Sequence, residues 1–158
     1  MPSKKAKPVP EAYHAITPYL SLRNASRAIE FYKKAFGATE LMRFALPNGH
    51  VGHAELKIGD SIIMLADEHP EMGTRSPETV GGTPTALMLY VDNVDKVVDR
   101  AVTEGARIDR PVEDKLYGDR SGTLTDPFGH VWHVSTHVED VPPDELKRRA
   151  EAAMREAK

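Results

Sequence analysis

The chain has 158 residues, with 24 acidic and 21 basic side chains, seven histidines and no cysteine. Its formal charge of -3 is spread along the sequence, so neither nucleic acid nor an anionic membrane is favoured, and a small organic ligand is the natural expectation. The lack of cysteine removes disulfides, thiolate metal sites and cysteine nucleophiles; with no long apolar run, it fits a cytoplasmic chain.

Residues 1–12, rich in lysine and proline, predict a flexible or clasping arm. A strand follows, in which Ile16, Leu20 and Leu22 alternate with Ala15, Thr17, Tyr19 and Ser21. Asn24 stands where a helix N-cap is needed, and Ala25, Ala28, Ile29 and Tyr32 recur at i, i+3, i+4 and i+7, the apolar face of a helix. That helix closes at Gly37-Ala38. Strands are expected at about 39–46, 50–58 and 61–67, separated by the turn signals Pro47-Asn48-Gly49 and Gly59-Asp60. In the second of these, Ala54, Leu56 and Ile58 should lie under the helix while His53 and Glu55 face the other way.

After a Pro- and Gly-rich linker at 68–83 the pattern recurs with an offset of 69 residues, Leu20 falling over Leu89. Leu87, Leu89 and Val91 alternate with Ala86, Met88 and Tyr90, and Asn93 caps a helix with Val94, Val97, Val98 and Ala101 on one face. Strands are expected at about 107–116, 120–125 and 130–137. An Asp126-Pro127-Phe128-Gly129 turn precedes the last strand, which sends Trp132 and Val134 to the core and His133, Ser135 and His137 to the opposite face; a backbone carbonyl should receive the Trp132 N–H. Residues 141–158 read as an amphipathic helix whose stripe of Leu146, Ala150, Ala153, Met154 and Ala157 must dock on something. The fold class is therefore α+β: two tandem βαβββ modules, at about 13–67 and 84–138, plus a C-terminal helix.

The duplicated unit, the helix from Asn24 to Ala38, the Asp126 to Gly129 turn and the segments Thr17-Pro18-Tyr19-Leu20, His53-Ala54-Glu55, Ile63 to Glu68 and Tyr117-Gly118-Asp119-Arg120 together resemble the vicinal oxygen chelate superfamily. Glyoxalase I, bleomycin-resistance proteins and extradiol dioxygenases belong to it, and the chain is similar to its PhnB-like, glyoxalase-like members over about 13–140. The resemblance implies a curved mixed sheet around a concave pocket, and a homodimer. It also implies four ligand positions for a divalent metal, which fall here on Thr17, Met64, Ala86 and His133. Alanine has no donor, methionine prefers soft ions and a threonine hydroxyl is weak, so no bound cofactor or metal is expected.

Ligand-binding candidates are Thr17, Tyr19, His53, Glu55, Met64, Met88, Tyr90, Arg120 and His133. Methionines and tyrosines would supply an adaptable apolar wall; His53, Glu55 and His133 would supply hydrogen bonds. Arg120 could instead pair with Asp119 to fix its loop, and His133 could be a pocket histidine satisfied by its neighbours. Two functions follow from different classes. One is a small-molecule-binding protein of the bleomycin-resistance type that sequesters an organic ligand. The other is a glyoxalase-like lyase, isomerase or dioxygenase with a divalent metal on His53, Glu55 and His133.

Overall fold

The computed structural model describes residues 5–157; the start of the expected arm, 1–4, and Lys158 lie outside the described residues. The chain divides after Gly82 into two compact units. The first contains β1 (Tyr19–Leu22), α1 (Ala25–Phe36), β2 (Thr39–Ala45), β3 (Val51–Ile58) and β4 (Ser61–Asp67), followed by a 3-10 turn at Pro70–Met72 and the short α2 (Pro77–Val80). The second contains β5 (Ala86–Tyr90), α3 (Val94–Thr103), β6 (Arg107–Asp114), β7 (Asp119–Thr125), β8 (Val131–His137) and α4 (Pro143–Glu156). Each unit is thus βαβββ, and the α+β expectation holds.

The two sheets share one topology, β1-β4-β3-β2 and β5-β8-β7-β6. Tight turns make the last three strands of each unit antiparallel neighbours, while the helix carries the first strand back to pair parallel with the last. Tyr19 pairs with Met64 and Met88 with His133, so the repeat offset seen in the sequence is also the offset of the hydrogen-bonding register.

One face of each sheet is covered by its helix. α1 buries Ala28, Ile29, Phe31, Tyr32 and Phe36, whose rings meet one another, against Leu20, Leu22, Ala54, Leu56 and Leu65. Each fully buried large apolar side chain contributes about 2 kcal/mol. α3 supplies only Val94, Val97, Val98 and Ala101, opposite Leu124, Trp132 and Val134. Leu87, Leu89 and Val91 follow the expected alternation but are only half-buried, because α3 is shorter than α1 and brings no ring to cover them. Ile16 departs further from expectation: it precedes β1 and is 87% exposed.

Two local expectations are corrected. Asn24 does not cap α1 with its side chain; it sits in the left-handed region at φ 62. The buried Asp67 does the work instead, Oδ1 accepting from the Ala25 N–H at 2.9 Å and Oδ2 from the Val51 N–H at 2.7 Å. In the second unit Asn93 does accept from the Lys96 N–H, and Thr136 Oγ1 accepts from the Val94 N–H at 2.9 Å. Trp132 is core, but its Nε1–H donates to Asp126 Oδ2 at 2.9 Å rather than to a backbone carbonyl. Asp126 Oδ1 also accepts from the N–H groups of Phe128 and His130, which ties the Asp-Pro-x-Gly turn to the core.

The C-terminal stripe is only partly covered within its own unit, Leu146 and Ala150 being half-buried and Ala153 exposed. No residue of α4 is buried, and Met154 is 67% exposed. Polar contacts hold the helix: Arg149 donates to the Leu116 carbonyl at 3.0 Å and to Glu139 at 2.6 Å. The preceding loop also lies against Gly118, where a Cβ would overlap the Glu139 carbonyl oxygen; only glycine fits there.

Candidate functional site

The sheet face turned away from α1 carries the first set of candidates. Register aligns Tyr19, Met64, Glu55 and Met42 in one row across β1, β4, β3 and β2, and places Phe44 beside His53 in an adjacent one. Strand alternation puts all six on the same face. His53 is central: Tyr19 Oη lies 2.8 Å from its Nδ1, and Glu55 Oε2 lies 2.9 Å from its Nε2. With the imidazole proton on Nε2, the histidine donates to the carboxylate and accepts from the phenol. Desolvation holds the Tyr19 pKa above the ordinary tyrosine value, which keeps the phenol a proton donor.

Glu55 is only 14% exposed, and its Oε1 is buried with no hydrogen-bond partner among the described residues. Beside it lies a cavity of about 410 Å³ whose walls include Met64, Thr17 and the arm residues Pro8, Pro10 and Tyr13. Thr17 precedes β1 and reaches only the His14 carbonyl, at a long 3.5 Å. Thr17, Glu55 and Met64 therefore meet at one cavity, and Tyr19 and His53 connect to it through Glu55.

The corresponding face of the second unit is built differently. Met88, His133 and Thr123 share a row, and Tyr90, Ser135 and Ser121 share another. His133 Nδ1 is 2.8 Å from Thr123 Oγ1, so one ring nitrogen is held and Nε2 has no partner among the described residues. Ser135 Oγ is 2.7 Å from Ser121 Oγ and 3.3 Å from Met88 Sδ. Tyr90 donates to the buried Asp119 at 2.8 Å, a bond that raises the Tyr90 pKa. The other oxygen of Asp119 meets His137 Nδ1 at 2.7 Å, and His137 Nε2 meets Asp140 at 2.7 Å.

Arg120 does not join this face. Neighbouring residues on a strand point to opposite sides, so Asp119 turns toward Tyr90 while Arg120 turns toward α3. There its guanidinium forms a two-pronged pair with Asp95 and a further contact with Asp114; the expected Asp119–Arg120 pair is absent. These carboxylates hold the Arg120 pKa well above its ordinary value. What the sequence reading missed is the Tyr90–Asp119–His137–Asp140 chain. Its signal was available: Asp119 and Tyr90 share the outward parity of their strands.

The donor set does not suit the metal that the resemblance implies. Of Thr17, Met64, Ala86 and His133, only the histidine is a strong ligand for a hard or borderline divalent ion. Among the described residues no three His, Asp or Glu side chains gather in a way that could hold a metal ion. No step of chemistry is therefore routed through one. The first unit's face can instead accept a hydrogen bond at Glu55 Oε1, the second unit's can donate or accept at His133 Nε2, and each can pack flat apolar groups on its own tyrosine and methionine.

Comparison with known proteins adds four findings. Residues 14–134 match the family model of the glyoxalase/bleomycin resistance protein/dioxygenase superfamily. An uncharacterised protein of Mycobacterium bovis is 43% identical over 136 residues, covering 84% of this chain and 90% of that protein. Among solved structures, TioX from Micromonospora sp. ML1 is 28% identical, with a TM-score of 0.63, covering 79% of this chain and 99% of TioX. The PhnB protein from Bacillus cereus, 20% identical with a TM-score of 0.61, covers 78% of this chain and 99% of its own and shows the shared fold.

Proposed function

The chain belongs to the glyoxalase/bleomycin resistance protein/dioxygenase superfamily, and from that premise we propose that it binds and sequesters a small organic molecule without a metal. One observation carries this reading. The family's sheet faces are retained in both units, yet the side chains on them are tyrosine, methionine and hydrogen-bonding groups rather than a ligand set. In the first unit Met64 and Tyr19 offer flat, adaptable apolar contact while His53 and Glu55 fix orientation; in the second, Met88 and Tyr90 offer the contact and His133 the hydrogen bond. A cavity of about 410 Å³ falls within the range of small-ligand sites. The proposal includes a homodimer and a cytoplasmic location, the latter in keeping with the absence of cysteine. No helix among the described residues is long and apolar enough to cross a membrane.

The six methionines make the test direct. With methyl-labelled methionine, titration of neutral aromatic alcohols should move the Met64 and Met88 signals saturably and leave Met72 and Met154 in place. Shifts confined to the latter two, or none at all, would overturn the reading. The metal-dependent alternative makes the opposite forecast: stoichiometric divalent metal in protein purified without chelators, lost in His133→Ala.

A further inference from the structure

Glu55 presents a problem that its own unit does not solve. Burying a carboxylate oxygen without a donor forfeits its hydration with nothing in return, and folded proteins leave few such groups. His53 satisfies Oε2 only, and it is the one ion-pair partner of Glu55 among the described residues. The nearest lysine on the strand, Lys57, is exposed and makes no ion pair with it. Oε1 therefore remains unmatched beside a cavity that is otherwise largely apolar, walled by Pro8, Val9, Pro10 and Met64. Thr17 stands in the same wall with its hydroxyl only weakly engaged, at 3.5 Å from the His14 carbonyl.

We infer that this cavity recognises a protonated organic amine, its ammonium group donating to Glu55 Oε1 and Thr17 Oγ1 while its apolar body packs on Met64 and the prolines of the arm. The inference rests on the small-molecule reading above and names the class of ligand. An ammonium group carries three donors and no acceptor, which matches two acceptors in one wall. Its charge offsets the one that Glu55 brings out of water, where a neutral donor would satisfy the lone pair alone. Tyr13, also in the wall, adds a ring face of the kind that attracts organic cations. The hydrogen bonds from Tyr19 through His53 to Oε2 hold that side of the carboxylate, so an arriving ammonium has only to open the packing that shields Oε1 from solvent.

Benzylammonium, benzyl alcohol and benzoate, titrated separately into the full chain, test this by the Met64 methyl and His53 ring signals. Benzylammonium is expected to bind about tenfold more tightly than benzyl alcohol, with benzoate weakest. In Glu55→Gln, which keeps the shape and removes the charge, the preference should fall to within about twofold. Equal affinity of the ammonium and the alcohol in the parent chain would overturn the amine inference and leave small-molecule binding intact. Failure of both probes to move Met64 or Met88 would overturn both. A preference that survives Glu55→Gln would assign the selectivity elsewhere and also defeat the inference. The order of the three probes in the parent chain needs no variant, so an unfolded Glu55→Gln does not remove the test.

Discussion

His137 sits between two carboxylates, Asp119 on one ring nitrogen and Asp140 on the other. Both favour the imidazolium, Asp119 more strongly, and the His137 pKa is raised above the ordinary value of about 6.5. A raised folded-state pKa means that the charged ring stabilises the fold fully below about pH 6.5, and that this contribution fades as pH climbs through the folded value. Ring-proton NMR should therefore place the His137 midpoint above 6.5, and denaturation should show a decline in stability across that window that His137→Asn flattens. A midpoint at or below 6.5 would contradict the two-carboxylate clamp. At this scale the sequence was readable where strand parity was applied inside a formed strand, and it failed at Ile16, which precedes β1. His53 and Glu55 fall on one face as i, i+2 neighbours, and so they stand. Adjacency in sequence misled at Asp119 and Arg120, which lie side by side along the chain but on opposite faces of β7. Partners drawn from distant segments, such as Asp95 for Arg120, leave no local signal.

The two helices begin under the control of residues at the far end of their own units. Asp67 closes β4 and caps α1; Thr136, its counterpart in the repeat, lies in β8 and caps α3, each acting across 42 positions. The duplication thus preserved the place of the cap while changing its chemistry. The difference has an energetic consequence. Asp67 is buried and satisfies two backbone N–H groups, one starting α1 and one starting β3, with a charged acceptor. Asp67→Ala leaves both orphaned and should cost about 3 kcal/mol. Thr136→Val removes one neutral cap from a helix that Asn93 still supports, and should cost about 1 kcal/mol. Urea unfolding of the two variants measures the contrast, and equal losses would show that Asp67 does not join helix and strand as described. Periodicity located α1 and α3 and nearly every strand, because 3.6- and 2-residue patterns are local properties. Asn24 was misread for a related reason: the residue type suits a cap, but its left-handed backbone departs from the extended conformation from which a capping side chain reaches the first turn, and Asp67 serves the Ala25 N–H from the far end of the unit.

Both units leave large apolar side chains in water. Tyr19, Met42 and Phe44 in the first, and Met88, Tyr90 and Ile108 in the second, are each 41–60% exposed. The 69-residue repeat made the two βαβββ units legible from sequence, and the Tyr19–Met64 pairing of one unit recurs at that offset as Met88–His133 in the other, although the repeat alone does not say which residues pair. Strand alternation identifies the apolar face, however, and carries no information about the surface that covers it. A second copy of the chain is the cover proposed for Met42 and Phe44 on β2, with Tyr19, Met88 and Tyr90 left to the ligand, and Phe44, at 60% exposure, is the side chain with most to gain from it. α4 is placed outside the contact because Arg149 holds it to Leu116 and Glu139 of its own unit. Light scattering at micromolar concentration should accordingly give twice the 17.5 kDa chain mass. Phe44→Glu should shift that mass toward the single chain, whereas removal of residues 142–158 should leave it doubled. A monomeric parent would end the proposal outright. A doubled mass lost only with the tail would move the interface to α4, where the exposed Ala153 and Met154 of the apolar stripe would then find the partner that their own unit does not supply.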